Sequence, residues 1–257
     1  MPGSDDQPNQ IGCLRAVGAT ERVIIAIDGP AGTGKSSVAR DLASAIGLEF
    51  LDTGSMYRAA SALAIDHGLN FEDGELISDL VRRADLRFDW TTDPPTLYVF
   101  GEPMIGRLRE QDVSTAVSPI SQLAEVRAVL VEKQRRIGEV HPRLVSEGRD
   151  QGSVVFFDAD VKFYLDASVA IRAERRAEQL RAAGRPVDLR EVEREIRERD
   201  LRDTSRRIGP LVCPDDAVVV RTDELTQAEV VEELCRIVRE RVPAERLAEA
   251  VGVSNGG

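Results

Sequence analysis

Residues 23–37 read Val23-Ile24-Ile25-Ala26-Ile27-Asp28-Gly29-Pro30-Ala31-Gly32-Thr33-Gly34-Lys35-Ser36-Ser37. An apolar run comes first, a glycine-rich turn follows, and a helix-like stretch at residues 35–46 comes last. That order is the context in which a GxxxxGK[ST] string has physical meaning. Glycines let successive backbone N–H groups turn inward toward phosphate oxygens, and the next helix adds the positive end of its dipole. Gly29, Pro30, Ala31, Gly32, Thr33, Gly34, Lys35 and Ser36 are therefore expected to cradle a nucleoside triphosphate. Lys35 would reach the β- and γ-phosphates, and the Ser36 hydroxyl would ligate Mg²⁺.

Outward from this loop, short apolar stretches alternate with helical patterns. Strands are expected at residues 23–28, 143–146, 161–166 and 217–221. Helices are expected at 35–46, 56–66, 75–84, 123–138, 169–182, 189–204 and 226–242. Alternation of this kind implies an α/β, three-layer P-loop fold with a parallel sheet, its strands apolar because both faces are covered. Two stretches break the pattern. Residues 86–90 and 97–100, separated by Thr91-Thr92-Asp93-Pro94-Pro95, form a hairpin signal. It is read as part of a small acceptor-binding insertion at about 85–120. The Arg-rich helices at 169–204 meet around Gly184-Arg185-Pro186 and are read as a lid over about 169–207, able to shut out water. Residues 1–21 are polar and read as a disordered leader, 22–245 as the kinase-like domain, and 246–257 as a flexible tail.

The chain has 257 residues, 42% of them hydrophobic and 31% charged, which describes a soluble globular protein with a sizeable core. Its net charge of −11 argues against bulk binding to nucleic acid or to an anionic membrane. A 4% aromatic share leaves little for a base-stacking platform. Lysine occurs only at Lys35, Lys133 and Lys162, so the remaining positive charge is guanidinium, suited to bidentate phosphate contacts. Cys13, Cys213 and Cys235 are far apart with no CxxC pair, which fits a reducing cytosol. There is no 18-residue apolar stretch and no signal peptide, so a cytoplasmic location is expected.

Three further segments carry candidate chemistry. Residues 51–58, Leu-Asp-Thr-Gly-Ser-Met-Tyr-Arg, are a small polar turn that opens a helix. Residues 147–153, Glu-Gly-Arg-Asp-Gln-Gly-Ser, follow a strand end, where α/β sheets place their sites. Residues 199–206 alternate charge within the lid. A phosphate monoester acceptor has a second pKa near 6 and needs no general base, whereas a sugar or shikimate hydroxyl would benefit from a carboxylate. The loop alone leaves open a small-metabolite kinase of the shikimate or adenylate type and a non-catalytic nucleotide-binding regulator.

Taken together, the segments IAIDGPAGTGKSSVA, LDTGSMYRA, VSTAVSPISQLAEVR, EGRDQGSVVFFDADVKFYLDAS and RDTSRRIGPL resemble the bacterial cytidylate (CMP) kinase family from about residue 23 to 242. The resemblance implies Mg²⁺-assisted phosphoryl transfer from ATP to CMP or dCMP by a monomer that needs neither nucleic acid nor membrane. It implies that residues 29–37, Ser37 included, hold ATP, and that Arg58 and Arg149 hold the acceptor phosphate. Thr53, Arg127, Asp150 and Arg206 would read cytosine, while Ser118, Arg199 and Asp203 would contact the ribose. Tyr57 joins the acceptor side through its place in LDTGSMYRA. Lys35, Arg149, Asp150 and Arg206 are the residues on which catalysis would depend. Asp150 could accept from the cytosine amine and would repel the uracil carbonyl in that place. Two departures stand out: Phe157 where the family often has Pro, expected to be a packing difference, and Arg221-Thr222 where an Asp-Ser/Thr pair is usual.

Overall fold

A computed structural model describes residues 21–248. At its centre lies β1 (Val23–Asp28), buried at every position. Its neighbours are β6 (Arg143–Glu147) and β7 (Val161–Asp166), with β2 (Glu49–Asp52) and β8 (Val218–Arg221) at the edges. All five strands run parallel in the order β2-β6-β1-β7-β8. The register aligns Ile27 with Glu147 and Asp52 with Glu147, so the carboxyl ends of β1, β2 and β6 open at one edge. The connection sense reverses about β1, and that is where an open α/β sheet forms its crevice.

Alternate faces of the strands feed two cores. Val23, Ile25 and Ile27 pack with Val38 and Leu42 of α1 (Lys35–Ile46) and Leu234 and Val238 of α8 (Gln227–Arg241). Ile24 and Leu144 pack with Met56 and Ala60 of α2 (Thr53–Asp66), Ile77 and Val81 of α3 (Gly74–Arg83) and Leu130 of α5 (Ala124–Val140). Each such fully buried aliphatic side chain contributes about 1.5–3 kcal/mol. This is the expected α/β sandwich.

The hairpin between α3 and α5 is larger than the sequence implied. β3 (Leu86–Asp89), β4 (Thr96–Val99) and β5 (Glu102–Pro103) form an antiparallel sheet. A 3-10 turn (Arg107–Arg109) and α4 (Gln111–Ile120) complete the insertion. Helix α4 was not expected, because its Ser-Thr content and Pro119 mask a weak apolar face formed by Val113, Ala116, Val117 and Ile120. Arg107 fastens the insertion to α2 by pairing with Asp66 at 2.6 Å while also holding Glu110 at 2.6 Å. Trp90 stacks on His141 with ring centroids 4.3 Å apart, pinning the hairpin to the sheet edge.

Strand β2 was also not foreseen, since four residues with two apolar ones carry almost no periodic signal. Helix α2 begins at Thr53 rather than at residue 56 because Asp52 caps it, accepting from the Ser55 N–H at 3.1 Å. Helices α6 (Val169–Ala182) and α7 (Leu189–Thr204), the pair read from the sequence as a lid, share a small core of Ala173, Val192 and Ile196. Phe157 is 63% exposed while Phe156 is buried against Gly138, so the departure at Phe157 alters surface rather than packing.

At the start of the stretch read as a tail the structure describes three residues. Residues 246–248 belong to α9 (Ala244–Ala248). There Arg143 donates to the carbonyls of Arg246 (2.6 Å) and Leu247 (2.9 Å), and Arg246 pairs with Asp160 at 2.7 Å. The remainder of the leader and tail readings, residues 1–20 and 249–257, lies outside the described residues. No helix among the described residues is long and apolar enough to cross a membrane.

Candidate active site

The phosphate loop leaves β1 through Gly29, whose φ of 146° and proximity to the Leu165 carbonyl leave no room for a Cβ. Gly32, Gly34, Ser36 and Ser37 are exposed along the open side, while Thr33 and Lys35 are buried beneath. Lys35 Nζ donates to the Pro30 carbonyl at 2.6 Å and to Thr33 Oγ1 at 3.4 Å. Burial, with Arg149 and Arg199 nearby, holds its ammonium well below the usual lysine range. Ser36 Oγ donates to Glu147 Oε1 at 2.7 Å. The loop is also tied to α6 and α7. Arg172 of α6 donates to the Ala31 carbonyl (3.0 Å), the Ala167 carbonyl (2.9 Å) and Asp200 of α7 (2.6 Å).

Across the carboxyl edge of the sheet, acidic and basic side chains from distant segments meet. Arg127 of α5 pairs with Asp150 in the turn after β6, and their side chains are 2% and 3% exposed. The Tyr57 ring of α2 lies 5.4 Å from the Arg127 guanidinium carbon. Asp203 of α7 accepts from Arg149 Nε at 2.9 Å and also pairs with Arg206. Arg206 reaches Ser121 Oγ at 3.2 Å. Ser118 Oγ accepts from the lid residue Arg202 at 2.8 Å. Gly209, with φ 58°, passes so close to Arg127 and Asp150 that a side chain there would collide with both. Thr53 is buried, donates to the Glu147 carbonyl at 2.7 Å and accepts from Gln151 Nε2 at 3.5 Å.

Charge sorts these residues further. Burial raises the Asp150 carboxyl, opposed by Arg127, Arg206 and Arg149. Burial also works against the Asp203 carboxylate, but Arg149 and Arg206 outweigh it and hold that group below the ordinary range. Burial and then Arg149 bring Arg199 down to about 10, with Arg58 and Arg206 adding to the effect. Arg58 is lowered by burial and by Arg176 and Arg149. Like charges depress one another only when they share one space. Arg149 thus acts on Lys35, Arg58 and Arg199 alike, and among the described residues the Arg199 side chain makes no hydrogen bond or ion pair. The buried Nε atoms of Arg127 and Arg206 also lack a hydrogen-bond partner among the described residues. Such a concentration of free donors and positive charge is suited to clamping phosphates.

The family model for cytidylate kinase matches residues 25–240. The chain belongs to the cytidylate kinase family. It is 41% identical over 223 residues to a cytidylate kinase of Caldanaerobacter subterraneus subsp. tengcongensis, covering 87% of this chain and 97% of that protein. A cytidylate kinase of Mycobacterium avium is also 41% identical, with 87% and 98% covered. A bifunctional pantoate ligase/cytidylate kinase of Synechococcus sp. strain JA-3-3Ab is 43% identical over 85% of this chain, which spans 41% of that longer protein. The matches to cytidylate kinases extend over most of the chain, so the family likeness is not confined to the glycine-rich loop.

The residues named from the sequence lie at the carboxyl edge of the sheet or on the helices and insertion beside it. Several neighbours were not named. Glu147 links Ser36 to Asp52, whose carboxyl is pushed to about 7 by burial and by Glu147, with which it hydrogen-bonds. Glu147 stood inside the quoted EGRD segment, and its position one residue before the turn was the available signal. Arg172 and Arg176 were hidden among many lid arginines. At the Arg221-Thr222 departure, Arg221 is exposed, while buried Thr222 donates to the Asp166 carbonyl at 2.8 Å and accepts from Arg175 at 3.0 Å.

Proposed function

We propose that this chain transfers the γ-phosphoryl group of ATP to CMP or dCMP, working on free nucleotides as a cytoplasmic monomer. The observation that carries the reading is the buried Arg127–Asp150 pair beside the Arg149–Asp203–Arg206 cluster, at the strand ends where Ser36 of the loop meets Glu147. Residues 29–37 hold the triphosphate through backbone N–H groups, and Lys35 swings from the Pro30 carbonyl onto the phosphates. Arg58 and Arg149 hold the acceptor phosphate, and Ser118, Arg199 and Asp203 take the ribose. Cytosine lies against Arg127, Asp150, Arg206 and Thr53, with Tyr57 behind it. Insertion residues 85–120 form the acceptor lobe, and residues 169–207 close as the lid.

An exposed hydroxyl beside a carboxylate is an oxygen donor set suited to Mg²⁺, which keeps most of its ligands as water and substrate phosphate. Ser36 would hold the ion directly, with Glu147 orienting that hydroxyl. Bound there, Mg²⁺ would offset charge on the transferring phosphoryl oxygens. This chain's own contribution is positioning: the acceptor monoester is already nucleophilic at neutral pH, so the guanidinium groups need only align it in line and neutralise it. Burial beneath the lid keeps water from competing.

Asp150 prefers cytosine because its carboxylate can accept from the exocyclic amine and meets an oxygen in uracil. Steady-state ADP release across CMP, dCMP, UMP, AMP and shikimate tests the reading. CMP or dCMP should give the highest kcat/KM, and no turnover of CMP alongside turnover of another acceptor would overturn it.

A further inference from the structure

Directly after Arg149 and Asp150 comes a single π turn (Gln151–Val155), an uncommon geometry found mostly at functional sites. Any helical turn leaves its first N–H groups without internal partners, and the residue before it normally caps them with its own side chain. Here that residue is Asp150, and its side chain makes no such cap. Its carboxylate points instead to Arg127. The orphan amides are satisfied from another strand: Asp28 Oδ1 accepts from Gln151 N–H at 2.8 Å and Oδ2 accepts from Gly152 N–H at 2.7 Å. Asp28 is 1% exposed and is the last residue of β1, directly before Gly29.

We infer that Asp28 is a positioning residue for the transfer: by capping the turn in place of Asp150, it frees Asp150 for the acceptor base and fixes Arg149 relative to the phosphate loop. One carboxylate thereby joins the start of the donor cradle to the acceptor clamp. Loss of the cap lets Arg149 and Asp150 drift while the loop, held by its own backbone and Leu165, stays in place. The inference rests on the reading of Arg149 and Asp150 as acceptor groups. Burial, reinforced by Asp150 and opposed by the two amides and Lys35, pushes the Asp28 carboxyl to about 7. Arg149, Tyr164 and Cys213 also face it electrostatically. A protonated carboxyl presents a hydrogen to one of the two amides, so the cap weakens as pH falls below about 7.

Asp28→Asn places an amide NH₂ against an N–H and mimics the protonated state. Expected for this variant are a fall in kcat/KM for CMP of about 30-fold or more, with KM for ATP within about twofold of wild type, and a smaller CMP-to-UMP preference. Wild-type KM for CMP should rise as pH drops from 8 to 6, and that of the variant should not follow this component. Faster hydrogen exchange at Gln151 and Gly152 without nucleotide should accompany these changes, a readout independent of the substrate assignment. If wild type turned over no CMP while exchange still accelerated, the functional reading would fail and the cap would stand. Equal losses for CMP and ATP, or unchanged exchange at both amides, would overturn the inference. Should Asp28→Asn not fold, as shown by its thermal melt, Asp28→Ser keeps one acceptor oxygen and carries the same measurements.

Discussion

The proposed donor and acceptor ends of this site are built on opposite principles. The loop at residues 29–36 is nearly all backbone, contiguous in sequence, with Gly32, Gly34 and Ser36 exposed. The acceptor end is nearly all side chain, drawn from α2, α5, the turn after β6, and α7, and already paired: Arg127 with Asp150, and Arg149 and Arg206 with Asp203. A backbone cradle recognises any triphosphate and costs little to preorganise. A pre-paired cluster selects, because a ligand must offer donors and acceptors good enough to replace contacts that already exist.

That contrast is tested most severely at Lys35. Its partners are confined to Pro30 and Thr33 of its own loop, so its removal should leave the fold intact. Lys35→Ala is expected to lower kcat by about 10²–10³-fold, the usual loss for one preorganised charge-stabilising donor. Near-normal turnover in rapid-quench assays would remove the loop from the chemistry.

Asp150 should behave differently, because structure and selectivity are joined there. Asp150→Ala leaves Arg127 buried and unpaired, and breaking a buried pair in this way destabilises by about 3–5 kcal/mol. Denaturant unfolding should show that loss, while kinetics show a KM for CMP raised far more than that for ATP. A stable variant with equal losses for both nucleotides would erase the distinction between the two ends.

This difference also explains what the sequence made legible. The cradle could be read because one contiguous stretch specifies strand, turn and helix. Arg149 and Asp150 were found because they share a strand-end segment, yet neither Asp28 nor Glu147 was assigned a role. Asp28 touches Gln151 and Gly152 across 123 and 124 positions, and no local pattern encodes that distance. The same applies to β2 and α4, whose apolar faces are too short to announce themselves and form only because α2 and the sheet cover them. Local chemistry was readable, and pairing across the sheet was not.

Arg172 belongs to neither end, since its guanidinium touches loop, lid hinge and α7 at once. It is 4% exposed, and a hydrogen bond involving a charged group contributes about 1.5–3 kcal/mol. Arg172→Ala should therefore destabilise by about 2 kcal/mol or more and loosen the lid. Its functional signature would be ATP hydrolysis that no longer matches CDP formation, measured by comparing ADP and CDP yields. A stability loss with the two yields still equal would make Arg172 a strut for the fold and not for closure.

The smallest expected effect concerns the seam between the two ends, where Asp52 meets Glu147. Burial and the neighbouring Glu147 raise the Asp52 carboxyl from 3.8 to about 7, so the folded protein retains a proton there that the unfolded chain has lost. A raised pKa of this kind favours the fold fully below about 3.8, and the advantage disappears as pH rises through about 7. Asp52→Asn carries no such titration. Its thermal midpoint should gain on that of wild type between pH 5 and pH 8, then run parallel. Parallel thermal midpoints over the whole of that range would mean that Asp52 is ionised in the fold throughout, and would remove the buried proton from the seam.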